Sequence, residues 1–301
     1  MRRYFAHALR IQSDWALPDG VLSGTEGPFD LLFERSESAL PNMGDGQGAY
    51  FRFGDGAHDY YWPELGTISV QRSGRVAIYE KADAPTGLVP HVLLGPVMGD
   101  WLMHAGKLPL HSNCIEFDGA ALAVVGPSGA GKSTLGAALT LAGGSTHGDD
   151  LVGIDPDTTL VPFGTARTKL NPDVLGQLGI DQAPLPRVYS TIDKRSVVVG
   201  ETPAAAPPEL PLRAIYRLVD SEQDEPEFEK LDVFQSALGI LGDVFHLELQ
   251  TKAVGAPGLL QMTSRIAEKV PLYLLRRKRK LTSLNSLAGQ VRDHFLRHHR
   301  A

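Results

Sequence analysis

The stretch GPSGAGKST, Gly126 to Thr134, follows directly on the apolar run ALAVV and leads into STLGAALTLAGG. Gly126, Gly131, Lys132 and Ser133 satisfy the pattern Gly-x4-Gly-Lys-Ser/Thr, with a strand expected before it and a helix after it. Glycines there let successive N–H groups close on phosphate oxygens at the N-terminus of a helix. On this pattern Ser128, Gly129, Ala130 and Thr134 complete a nucleotide-binding loop. Lys132 reaches the β- and γ-phosphates of ATP, and the Ser133 hydroxyl ligates Mg2+. A strand, phosphate loop and helix in succession predict an α/β domain with helices on the faces of a sheet.

Two features flank the loop. Seventeen residues past Lys132 stands Asp149, followed by Asp150, in THGDDLVGID. Paired carboxylates at the head of a buried strand are costly unless a cation needs them. Beside Mg-ATP one of them can hold the metal while the other takes a proton from an attacking hydroxyl. Fifteen residues before Gly126 stands His111, in LPLHSNCIEFDG.

His111, the IEFDG segment, the phosphate loop and the Asp149-Asp150 pair together resemble the core of the HPr kinase/phosphorylase family, with its His-x(14)-Gly-x(4)-Gly-Lys-Ser spacing and following Asp-Asp pair. The opening YFAHALRIQSDWALPD and the phrase LPLHSN resemble a divergent branch of that family, some of whose members phosphorylate a serine on ribosomally made peptides such as lasso-peptide precursors. The resemblance is strongest over residues 105 to 155. It implies a carboxykinase-type fold with a mixed sheet, ATP and Mg2+ as cofactors, and a peptide or small-protein substrate bearing a serine. It also implies roles: Asp149 as general base toward that serine, His111 beside it as a tuning group, Asp150 with Ser133 at the metal. Thr134 stands where the family carries Glu, and no Arg-Gly dipeptide of the family's downstream signature occurs. Those departures point away from HPr itself as the substrate and from the reverse, phosphorylase reaction.

Composition narrows the alternatives. The 301 residues are 43% hydrophobic and 21% charged with a formal charge of −6, which suits a globular chain and argues against broad nucleic-acid binding. A lone cysteine, Cys114, makes no internal disulfide and points to the cytoplasm. The greasiest segment, LVPHVLLGPVMGDWLMHAG, is interrupted by Pro90, His91, Pro96 and Asp100, so it suits a packed helix near 92–105 better than a membrane span. An ABC-type ATPase lacks its LSGGQ-like signature here, and a carboxykinase its further metal and arginine motifs. A nucleotide-dependent regulator or scaffold is the non-enzymatic alternative, and a homo-oligomer is compatible with the sequence.

The chain divides into a β-rich module at 1–105 and a phosphate-loop domain at 106–301. In the first, short alternating runs are cut by PDG, PNMGDGQG, FGDG and RSG, and YYWPELGTISVQRSGRVAIYE is expected to form two strands about Ser73-Gly74. Tyr60, Tyr61 and Trp62 suit either a core or a groove for an extended peptide. In the second, LRAIYRLV and VPLYLLRR read as strands, DSEQDEPEFEK as an acidic loop, DVFQSALGILGDVFHLEL and SLNSLAGQVRDHFLRHHRA as helices. The basic run Arg276, Arg277, Lys278, Arg279, Lys280 suits a solvated strand end, or a contact to ATP phosphates or an acidic peptide. Lys194 and Arg195 are candidates for the same kind of contact, and His294, His298 and His299 suit a helix surface.

Overall fold

A computed structural model describes residues 1–24, 27–43, 50–181 and 183–299. The chain is a mixed α/β protein built on two large mixed sheets. The first is made of β1 (Arg2–Ala6), β2 (Leu9–Ser13), β3 (Leu22–Ser23), β4 (Leu31–Arg35), β5 (Tyr50–Phe53), β6 (Ala57–Trp62), β7 (Gly66–Gln71) and β8 (Arg75–Glu80). Their order is β3-β1-β2-β4-β8-β7-β6-β5, which leaves β5 at one margin. The YYWPELGTISVQ segment therefore holds a second turn, at residues 63–65, that the two-strand expectation missed. Gly66 enforces it: φ is 127°, and a Cβ would press on the Tyr79 carbonyl. Most of the PNMGDGQG turn lies outside the described residues.

The helical stretch begins earlier than expected, as α1 (Leu88–Val92), and ends as α2 (Met98–His104). A single π turn, Leu93–Val97, joins them and contains Pro96, whose missing N–H a regular helix would have needed. Leu88, Val89, Val92, Leu93, Val97 and Met98 pack onto the first sheet, in one core that also takes in Leu151, Phe245 and Leu249 from farther along the chain. No described helix is long and apolar enough to cross a membrane.

The remaining elements are β9 (Leu108–Leu110), β10 (Asn113–Phe117), β11 (Ala120–Val125), α3 (Lys132–Leu141), β12 (Ser145–Gly148), β13 (Val152–Ile154), β14 (Leu160–Val161), β15 (Arg167–Leu170), α4 (Pro172–Gln177), β16 (Arg195–Val198), β17 (Leu210–Asp220), β18 (Glu227–Lys230), α5 (Val233–Gly242), α6 (Leu247–Ala267), β19 (Leu272–Arg277) and α7 (Leu284–His298). The second sheet runs β12-β10-β11-β17-β19-β18, with β11, β17 and β19 parallel and the outer strands antiparallel. Strand β11 is buried throughout, as its unbroken apolar run requires of a strand covered on both faces. Ala121, Ala123 and Val125 face the core under α5 and α6, while Ala120, Leu122 and Val124 face that under α3 and α7.

Two expectations change here. EFEK, read as part of an acidic loop, is strand β18, held on β19 by backbone pairing and by Arg276 on Glu229. DVFQSALGILGDVFHLEL is not one helix: it breaks at Asp243–His246, with His246 in the left-handed region at φ 49°.

Candidate phosphotransfer site

The loop between β11 and α3 adopts the backbone its glycines allow. Gly126, Gly129 and Gly131 have φ of 139°, 78° and 97°. Lys132 is buried, and its ammonium donates to the carbonyls of Gly126 at 2.9 Å and Pro127 at 3.3 Å. Burial lowers its pKa, against the opposing pull of Asp243, Asp150 and Asp149. Sequence reading did not single out Asp243. It is buried at the end of α5, paired with Arg217 at 2.8 Å, and its backbone carbonyl receives the His111 N–H.

The two aspartates take different partners. Asp149 is buried and turned toward the loop. Its Oδ1 accepts from Ser133 Oγ at 2.9 Å and Asn113 Nδ2 at 3.1 Å, and its Oδ2 from Thr168 Oγ1 at 2.8 Å and the Lys169 N–H at 3.0 Å. Asp150, in the left-handed region at φ 71°, turns the other way. Its Oδ1 lies 3.3 Å from His111 Nε2 and its Oδ2 2.6 Å from Lys169 Nζ. Burial alone would raise its pKa; Lys169 and His111 outweigh that and hold the carboxyl well below the usual range. Lys169 Nζ also lies 3.3 Å from His91 Nδ1. Burial, reinforced by Lys169, lowers the His91 imidazole to about 3, so it is neutral and accepts from the ammonium.

Two cavities meet at His111 and Asp150. One, of about 500 Å3, is lined by the loop from Ser128 to Thr134, by Lys194, by Arg277 to Lys280, and by the apolar residues Val174, Leu281, Leu284 and Leu287. The other, of about 600 Å3, lies between Trp62 of the first sheet with Pro63 and Glu64 of the following turn, and Tyr189, Phe245 and His246. His111 and Asp150 line both.

The basic run divides between outward ion pairs and contacts to the phosphate loop. Arg276 and Lys278 pair outward with Glu229 and Asp224, while Arg277 and Arg279 donate to the loop carbonyls of Ala130 and Gly129. Of the other candidates, Lys194 faces the phosphate cavity and Arg195 pairs with Asp193. His294 is packed among Tyr216, Phe228 and Tyr273 instead of lying on the surface. Tyr60 and Tyr61 are buried, and Trp62 is partly exposed at the cavity wall.

The donor set suits Mg2+. Among the described residues no cluster of three or more His, Cys, Asp or Glu forms a cage, whereas Ser133 lines the phosphate cavity with Asp149 hydrogen-bonded to it and Asp150 lining the same cavity. Magnesium bound with a nucleotide takes one or two protein ligands, its remaining positions going to phosphate oxygens and water.

No family model matches the chain, and no curated protein does. Among solved structures, the HPr(Ser) kinase/phosphatase from Coxiella burnetii is similar at 14% identity with a TM-score of 0.32, over 64% of this chain and 98% of that one.

Proposed function

We propose that the chain is an ATP-dependent kinase that passes the γ-phosphoryl group to a serine hydroxyl of a peptide or small protein, with lasso-peptide precursors as the first candidates because of the sequence resemblance. One observation carries this reading: the phosphate cavity and a second, largely apolar cavity share Asp150 and His111. A pure ATPase needs room only for water there, and a scaffold needs no carboxylate there.

In this reading the loop N–H groups and Lys132 hold the phosphates, and Arg277, Arg279 and Lys194 add positive charge around them. The base of the nucleotide lies against Val174, Leu281, Leu284 and Leu287. Ser133, with Asp149 hydrogen-bonded behind it, would hold Mg2+, which would supply positive charge beside the phosphates. The roles of the two aspartates are then exchanged relative to the sequence expectation. Asp149 has every oxygen engaged and fixes Ser133, whereas Asp150 faces the second cavity and meets the acceptor hydroxyl. Its low pKa keeps it ionised at neutral pH. A loose transition state asks such a group mainly to orient the hydroxyl and take its proton late. His111 and Lys169 hold the carboxylate in place, and His91 holds Lys169.

Incubation with Mg-ATP and serine peptides, read by mass spectrometry, tests the reading. A phosphoryl adduct on serine is expected. ATP consumed without adduct would make the chain an ATPase, and nucleotide bound without consumption would make it a scaffold.

A further inference from the structure

His111 directly follows β9, and that strand is held along both edges. On one edge Leu110 pairs with Val152 of β13, which opens two residues after Asp150. On the other, residues 109–111 meet residues 243–245. The His111 N–H donates to the Asp243 carbonyl and the Phe245 N–H to the Pro109 carbonyl, each at 2.9 Å, with an antiparallel bridge between Leu110 and Val244. The Phe245 ring stands edge-on to the imidazole, their centroids 5.7 Å apart. The place of His111 against Asp150 therefore depends on what fixes residue 243.

That anchor is charged and buried. Asp243 closes α5, its N–H donating to the Ile240 carbonyl at 3.0 Å. Arg217 Nη1 donates to its Oδ2 at 2.8 Å and to the Gly239 carbonyl at 2.7 Å. Arg217 lies on β17 opposite Val125, the last residue before the phosphate loop. Burial raises the pKa of the Asp243 carboxyl, against the pull of Arg217, Lys132, His111 and the Gly126 N–H. The carboxyl thus stands among groups of the loop and of the acceptor side together. A buried ion pair adds little stability over apolar side chains of the same volume, so the geometry it enforces is the better account of its presence.

We propose that Asp243 is a positioning residue for phosphotransfer: clamped by Arg217 at the root of the phosphate loop, it holds His111, and through His111 the Asp150 carboxylate, in place against the nucleotide. This rests on the kinase reading for the reaction itself. Asp243 touches neither substrate; it acts through the backbone of its neighbour.

Two variants of the full chain test it. Asp243→Asn keeps the side-chain shape and loses the charge that Arg217 holds. Arg217→Lys is the milder change, keeping the charge with a shorter reach and no planar fork. Asp243→Asn is expected to lower kcat about 10–100-fold, and Arg217→Lys to lower it less, with rates counted per nucleotide-binding site so that unfolded protein does not contribute. In a His111→Ala background the same substitutions should lower kcat by no more than about twofold further, whereas a general structural role would lower it equally in both backgrounds. A second readout needs no turnover. The imidazole resonance of His111, assigned by its loss in His111→Ala, should shift in both variants, while that of His58 in the first sheet stays in place. Unchanged kcat in both variants, equal losses with and without His111, or an unmoved His111 resonance would overturn the proposal. A displaced His111 resonance in a protein that forms no phosphoryl adduct keeps the clamp and removes the kinase; an adduct formed at full rate by both variants does the reverse.

Discussion

Asp149 and Asp150 are neighbours in sequence and opposites in environment. Four donors converge on the first, while the second accepts one ammonium and one imidazole at a cavity junction. Their amide variants should therefore fail differently. Asp150→Asn is expected to leave nucleotide affinity nearly unchanged and to lower phosphotransfer by about 10²–10⁴-fold, the range for a positioned proton acceptor. Asp149→Asn puts an amide donor against Ser133 and the Lys169 N–H. It is expected to raise the Mg2+ concentration needed for half-maximal activity. Nucleotide titrations and single-turnover rates for the two variants check this. An Asp149→Asn enzyme with normal magnesium dependence and lost transfer would return the base role to Asp149.

At the scale of elements, the strand β11, the glycine loop and α3 were legible because each is coded within a few consecutive residues. A buried central strand must be apolar throughout, and the loop needs glycine where φ is positive. The rest of the site was not legible in this way. Asn113, Thr168, Lys169 and His91 come from three other segments, and no local pattern marks a side chain whose partner lies so far along the chain. The strand β18 escaped notice for a different reason: as an outer strand it exposes Glu227, Glu229 and Lys230, so its composition is that of a loop. Helix α3 also carries a less visible constraint. A Cβ on Gly136 would fall 1.9 Å from Asn113 Oδ1, so the helix approaches β10 as closely as it does only because that residue is glycine. Gly136→Ala is expected to lower stability by about 1–3 kcal/mol despite its better helix propensity. It should also push Asn113 off Asp149 and raise the magnesium requirement, as read by urea unfolding and by a metal titration.

For the molecule as a whole, the division at residue 105 cuts through a shared core. Leu151, Phe245 and Leu249 pack with the first sheet and with α1 and α2, and His91 reaches Lys169 from α1. A chain beginning at residue 106 is expected to melt well below the full chain by circular dichroism. The same seam holds His7, which is buried and lowered to about 4, chiefly by burial and then by His147 and Lys107. Both His7 and His91 have folded-state values below their unfolded one. Below about pH 6.5 the unfolded chain therefore binds more protons, and stability falls as pH drops toward 4. His7 alone should cost about 2 kcal/mol at pH 5. Urea midpoints between pH 7 and 5 measure the slope, and His7→Asn, which tolerates the residue's φ of 54°, should flatten it. Finally, two cavities joined at one histidine and one aspartate would, in the kinase reading, share a single position for the transferred phosphoryl group. ATP and the phosphorylated product would each place theirs there, so they exclude each other, whereas ADP and unmodified acceptor bind side by side. In initial-rate kinetics the product should inhibit competitively against both substrates, and ADP competitively against ATP but noncompetitively against the acceptor.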